Sequence, residues 1–299
     1  MATHAPLRPG LLPRLLTRPT ASLSLLLLGG VVLVTLLLPA WLHSNPHLTS
    51  SQTFCPPDAA HPFGTDLNGR DLLARTLEGA RISLLVGGTG ALVSLVIGTS
   101  VGLISGYVGG RTDALLMRLV DVLYAVPRLI LIILAGFLAD PWLQKMLAAL
   151  QGGRWVSYSK VAILVVALGC IEWLTMARIV RGQVLSLKTL PFVQAARALG
   201  QSHIRIILRH LLPNLSGIIV VYLTLTVPAV ILDESFLSFL GLGVQAPQAS
   251  WGTLLSDGAM ALNPVHSPWW LLLFPATAMS ITLLSLNFLG DALRDALAE

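Results

Sequence analysis

The sequence predicts an all-α integral membrane protein with six transmembrane helices and both termini on the cytoplasmic side. Composition is the first ground for this. Of 299 residues, 55% are hydrophobic and only 11% are charged, a balance too apolar for a soluble globule. The second is the length of the uncharged runs, because a bilayer core of about 30 Å needs roughly 20 apolar residues per helix. The third is the placement of Lys and Arg. With the amino terminus inside, only Arg70, Arg75, Arg81, Lys145, Arg154 and Lys160 of the 19 basic residues fall outside.

The elements follow in order. Residues 1–22 form a cytoplasmic tail rich in Pro and Arg. Residues 23–42 are the first span; the run is too long for a signal-peptide core, and no small-x-small cleavage site follows it. Residues 43–81 form an extracytoplasmic segment. From Asp71, the apolar Leu72, Leu73 and Leu77 recur at helical spacing against Arg70, Arg75, Glu78 and Arg81. That pattern predicts a short interfacial helix with Asp66 capping its approach and Gly64 and Gly69 supplying turns.

A core domain over residues 82–290 holds the other five spans. Residues 82–106 carry no charge and are rich in Gly, which permits close helix approach where lipid offers no hydrophobic drive. Gly109-Gly110-Arg111 makes the inner turn. The third span, about residues 119–138, carries Asp121 and Arg128, two helical turns apart and expected to reach the inner interface, with Pro127 beside Arg128. An outer loop over residues 140–160 contains an apolar piece and a Gly152-Gly153 break. Residues 161–177 contain one charge, Glu172; residues 215–232 and 269–289 contain none. Trp269 and Trp270 fit an interfacial aromatic belt. Residues 291–299 are read as a second cytoplasmic tail.

The inner segment over residues 190–213 is the most informative. Pro191 suits the first turn of a helix, Gly200 stops it, and Ser202 can cap a second one. In the second helix Ile204, Ile207, Leu208, Leu211 and Leu212 are expected on one face, with Arg205 and Arg209 one turn apart on another. The product is a bent helical pair with a greasy face and a cationic face on the cytoplasmic side, a shape suited to gripping a soluble partner.

Several chemistries are missing. The chain has no G-x-x-x-x-G-K-[ST] loop, H-E-x-x-H, zinc-like Cys/His spacing or G-x-S-x-G turn. Cys55 lies outside and Cys170 within a span, so no disulfide framework is implied. The pI near 9.7 follows from topology, and no basic run interleaves with aromatics, so no nucleic-acid partner is expected. His203 and His210 lie on the inner segment and carry no proton-transfer assignment.

Gln194-Ala195-Ala196, then Gly200, then His210-Leu211-Leu212-Pro213 resemble the EAA signature of ABC-importer membrane subunits, with Gln194 in place of the usual Glu. HPFGTDLNGRD (61–71), ARISLLVG (80–87), MARIVRGQVLSLK (176–188), ESFLSFLGLG (234–243), SWGTLLSDG (250–258) and NFLGDALRDAL (287–297) are similar to the C-type permease subunits of bacterial oligopeptide and dipeptide importers. The resemblance covers residues 62–297 and implies a type I ABC-importer permease fold in the bacterial inner membrane. It implies a non-catalytic subunit forming half of a pore for peptides, with no cofactor. The implied partners are a homologous second permease, two ABC ATPases and an extracytoplasmic substrate-binding protein. Within the family, dipeptides, nickel complexes, opines and antimicrobial peptides are alternative cargoes.

The resemblance makes residues 190–213 the coupling segment, with Gln194, Ala195, Ala196, Gly200, Arg205, Arg209, Leu212 and Pro213 as the ATPase-coupling set. Glu172, Asp233 and Glu234 are candidates for lining a translocation path or gate, since an acid in a span is functional by default. Glu172 could equally pair with a partner subunit, and Asp233-Glu234 could cap the turn that follows. A secondary transporter would have to use Glu172 and Asp233 for ion coupling, and an intramembrane hydrolase finds no companion for Glu172.

Overall fold

A computed structural model of the chain describes residues 18–42, 45–150, 156–262 and 267–298. Among the described residues the chain is helical, with turns and short loops and no strand. Pro19–Pro39, Leu72–Val108, Val161–Leu187, His203–Phe239 and Trp270–Leu297 are long and apolar enough to cross a membrane. A sixth crossing exists only if two helices bent by 101° count as one.

Helix α1 (Pro19–Leu42) begins inside the expected tail, and residues 1–17 of that tail lie outside the described residues. It is peripheral: Leu23, Leu26, Leu36 and Leu37 are exposed, as suits lipid contact, while Ala21 packs on Ala292 and Ala296.

Helix α2 (Leu72–Val108) is the centre of the molecule. Its 37 residues rise about 55 Å, well beyond a bilayer core of about 30 Å. The separate interfacial helix expected near residue 71 is therefore the protruding start of this same helix, because nothing between Glu78 and Ile82 breaks it. Asp71, not Asp66, is its cap, accepting from the Ala74 amide at 2.8 Å. Its glycines set its packing. A Cβ on Gly98 would stand 2.6 Å from the Met176 Cβ, one on Gly102 2.7 Å from the Ala177 carbonyl oxygen, and one on Gly106 2.7 Å from the Val184 Cβ.

The predicted third span is two helices. α3 (Gly110–Ala125) ends at the extended Val126, and α4 (Arg128–Leu150) starts after Pro127. Proline has no amide hydrogen and drives the residue before it out of the helical region, so the bend belongs there. α3 is tied to α5 (Val156–Leu187) by Arg181 to Asp113 at 2.5 and 2.7 Å, Arg178 to Asp121 at 2.6 Å and Tyr124 to Thr175 at 2.5 Å. Asp121 thus pairs with α5 and does not share a face with Arg128. α4 instead lies along the first half of α5, with Ile132 packed among Leu164 and Leu168. The expected outer loop is mostly helical, since α4 runs to Leu150 and α5 resumes at Val156; the Gly152-Gly153 break lies outside the described residues.

Beyond α5 come α6 (Pro191–Ala198), the short α7 (His203–Ile206) and α8 (Leu212–Phe239). The chain then turns into α9 (Trp251–Ala261), whose Ser250 forms a capping box with Thr253. α10 (Trp270–Ala298) closes the bundle and remains helical through the residues expected as a tail. Trp270 is buried and donates from Nε1 to the Thr65 carbonyl at 3.3 Å, so only Trp269 keeps an exposed, belt-like position. Leu297 lies beside Gly217 and Arg18 pairs with Asp295, so the starts of α1 and α8 and the end of α10 meet at one end of the bundle. The 45–71 loop and α9 occupy the other.

Candidate functional site

The α6–α7 element sits at the end where α2 and α5 finish. In α6, Val193 and Ala196 are one turn apart and buried against Tyr107, Val180 and Val184. Gly200 takes φ +72°, which an L side chain resists, and its amide reaches the Arg197 carbonyl at 2.9 Å. Ser202 occupies the cap position of α7 but makes no side-chain capping bond.

The chain then widens into a π-turn over Ile207–Leu211 before α8. Ile206 and Leu211 are five positions apart, and both are fully buried. The face predicted from the sequence is not the buried one: Ile204, before this turn, and Leu208, within it, are 71% and 59% exposed. Pro213, with no amide hydrogen for the preceding turn, is compatible with this local unwinding.

The residues expected from the sequence to couple to an ATPase therefore divide. Ala196 is buried and Leu212 half-buried, so they hold the element to the body. Gln194, Ala195, Gly200, Arg205, Arg209 and Pro213 are exposed. Gln194 donates to the Thr189 carbonyl at 3.1 Å, and Arg205 and Arg209 make no ion pair among the described residues. With Leu199 at 80% exposure, the outward side joins cations to bare apolar side chains.

The second assembly lies within the bundle. Arg128, first residue of α4, donates one terminal guanidinium nitrogen to both Glu172 of α5 and Asp233 of α8. Both acids are largely buried, while Arg128 remains 45% exposed beside a groove lined by Tyr124, Pro127, Glu172 and Thr175. Sequence reasoning had Arg128 at the interface and Glu172 alone. Pro127 was the signal that could have corrected this, since a break there turns the following side chain inward.

Glu234 is separate from that cluster. It is fully buried and accepts from Ser83 at 2.8 Å and Ser238 at 2.7 Å. Ser83 also accepts from the Trp251 amide, and Ser238 from the Val244 amide. Glu234 thus fastens α8 to α2 and α9 and faces no open path in this structure. At the same end, Asp66 accepts from Arg70 at 2.8 Å and Arg75 at 2.6 Å, and Arg75 reaches Asp257 at 3.2 Å, locking the 61–71 loop to α2 and α9.

The described residues thus form a polytopic helical bundle with an internal charge cluster and a jointed basic element at one end, the architecture of a multi-pass membrane protein. The same fold occurs in a chain of the structure titled "Inward facing conformations of the MetNI methionine ABC transporter", with TM-score 0.55 and 18% identity, covering 75% of this chain and 95% of that one. The family described as binding-protein-dependent transport system inner membrane component matches residues 98–299. The chain belongs to this family and is a multi-pass inner-membrane permease component of the ABC-transporter type. It is 48% identical over 237 residues to the oligopeptide transport system permease protein OppC of Haemophilus influenzae, covering 79% of this chain and 70% of that protein. Identity to the Escherichia coli protein of the same description is 50% over 240 residues, covering 80% and 72%. The dipeptide transport system permease protein DppC of Bacillus subtilis is 45% identical over 255 residues, covering 85% and 73%.

Proposed function

We propose that the chain is one half of the pore of an ATP-driven peptide importer, paired with a homologous permease. Its basic end faces the cytoplasm, where two ATPases dock on the exposed side of the α6–α7 element. An extracytoplasmic binding protein delivers peptide at the opposite end. The observation that carries this reading is the two-sidedness of that element. Val193, Ala196, Ile206 and Leu211 anchor it, while Arg205, Arg209, Leu199, Ile204 and Leu208 are left without cover. An apolar and cationic surface at the end of a membrane bundle suits a protein partner with acidic groups.

Arg128, Glu172 and Asp233 are proposed to border the translocation path. Charges at membrane depth require a partner or an aqueous space, and the 45% exposure of Arg128 argues against lipid contact. A self-powered ion carrier is disfavoured because Arg128 already pairs with both acids it would use. Peptide as cargo rests on the described roles of the relatives.

The test is gentle purification of the tagged chain from its native membrane, with mass spectrometry of what accompanies it. A second permease and P-loop ATPases are expected, and Arg205→Glu with Arg209→Glu should lose the ATPases. Retention of the ATPases by the double reversal would remove the docking surface from this element.

A further inference from the structure

The last turn of α2 is held by side chains from the α6–α7 element and from Lys188 just before it. Lys188, between α5 and α6, donates from Nζ to the Gly106 carbonyl at 2.7 Å. That places an ammonium at the negative end of the helix dipole and satisfies a terminal carbonyl. The Arg197 guanidinium carbon lies 4.9 Å from the centroid of the Tyr107 ring. His203 Nδ1 is 2.9 Å from the Tyr107 hydroxyl, with the rings edge to face at 5.7 Å. Tyr107 itself is 7% exposed, packed in the same apolar cluster as Val193, Ala196 and Ile206.

Arg197 belongs to α6 and His203 to α7, one on each side of Gly200. Gly200 is held by backbone bonds alone, its own amide to the Arg197 carbonyl at 2.9 Å and that of Gln201 to the Ala196 carbonyl at 3.1 Å; beyond its chain neighbours nothing lies within 4 Å of where its Cβ would stand. A joint of that kind passes on a push only if both of its arms grip the same rigid body. Tyr107 is gripped by both. Its helix is in turn seated against α5 through Gly98, Gly102 and Gly106, where backbone and Cβ atoms leave no slack.

We propose that Tyr107 is the positioning residue that joins both arms of the coupling segment to α2. Movement received by the segment then passes sideways into α2 and across the glycine seam into α5, besides travelling along the covalent path into α8. The proposal rests on the segment being the ATPase-docking element, and the test separates the two.

The complex of this chain with its second permease and ATPases is reconstituted in lipid, and peptide uptake is measured per ATP hydrolysed. In a Cys55→Ser, Cys170→Ser background, spin labels at Val108→Cys and Leu199→Cys, both exposed, report the distance between the end of α2 and the joint. With Tyr107 present, the distance distribution should be narrow and the same with and without ATP. Tyr107→Leu should broaden it and lower uptake per ATP about tenfold. Tyr107→Phe, which keeps the ring beside Arg197 but loses the hydroxyl bond to His203, should fall between the two in both readouts.

Wild-type coupling and a narrow distance in Tyr107→Leu would overturn the proposal. Gly200→Pro tells which idea has failed. If it uncouples while Tyr107→Leu does not, only the tyrosine's role falls; if neither uncouples, the docking reading falls with it. Should Tyr107→Leu not accumulate, His203→Ala, at an exposed position, removes the α7 arm's bond to Tyr107 without touching the apolar cluster. Broadening in that variant supports the proposal, and an unchanged narrow distance overturns it.

Discussion

Glu234 and Glu172 are both acids inside long apolar helices, yet their neighbours give them different work. Glu234 accepts only from hydroxyls, and those hydroxyls also accept backbone amides from the α8–α9 turn and the start of α9. Removing its carboxylate strands a small network. Glu234→Ala is expected to lower stability by about 1–3 kcal/mol, read as a drop in thermal midpoint in detergent, while Glu234→Gln should cost less. At the charge cluster the removable partner is Arg128. Arg128→Met leaves Glu172 and Asp233 facing one another, at a cost of about 1–3 kcal/mol, between an exposed and a fully buried pair. The same variant should impair uptake if the cluster borders the path, and adding Asp233→Asn should recover part of the stability. Wild-type uptake in Arg128→Met at normal protein level would remove the cluster from the path. Glu172 was visible in the sequence as an isolated acid in a span. Its partner was not, because Arg128 and Asp233 arrive from helices 44 and 61 residues away in the chain.

At the scale of the element, α2 and the α6–α7 joint obey different constraints. α2 depends on what its glycines lack. A methyl on Gly102 would stand 2.7 Å from the Ala177 carbonyl oxygen, a backbone atom that cannot step aside without moving α5. Gly102→Val is expected to cost about 1–3 kcal/mol or more through overpacking, measured as lost accumulation and a lowered thermal midpoint. Gly88, where a Cβ meets nothing, should accept the same substitution quietly. Gly200 also meets nothing, so its sensitivity comes from φ +72° alone. Gly200→Ala should cost about 1–2 kcal/mol locally, with little effect on overall stability and a larger one on uptake per ATP. The joint was legible as proline, stop and restart. The buried face beyond it was not, since a single π-turn shifts the apolar period and no propensity announces that shift.

For the molecule as a whole, the interest lies in how its two ends are coupled. The end bearing the 61–71 loop is stiff, with Asp66, Arg70, Arg75 and Asp257 in one charged lattice and Trp270 bonded across it. The opposite end carries the exposed joint. α2 connects them without a break over 37 residues. If Arg205 and Arg209 engage acidic ATPase groups, charge reversal should weaken assembly more at low salt than at high salt. ATPase retention measured across a salt series checks this, and an effect independent of salt would assign the contact to the apolar side chains.

By itself the sequence determined that the chain has five or six helices apolar enough to cross a membrane, which end is basic, and where the Pro191–Gly200–Ser202 joint lies, because length, charge and Pro/Gly placement act locally. Its family motifs did the same for the class of transporter. Only the tertiary structure decided that Arg128 serves Glu172 and Asp233, that Glu234 is a fastener, that Ala196 is anchored, and that Tyr107 lies between the two arms of the joint. Those outcomes depend on helices distant in the chain meeting at particular rotations. The 101° break at Pro127 and the widened turn over Ile207–Leu211 are enough to redirect them.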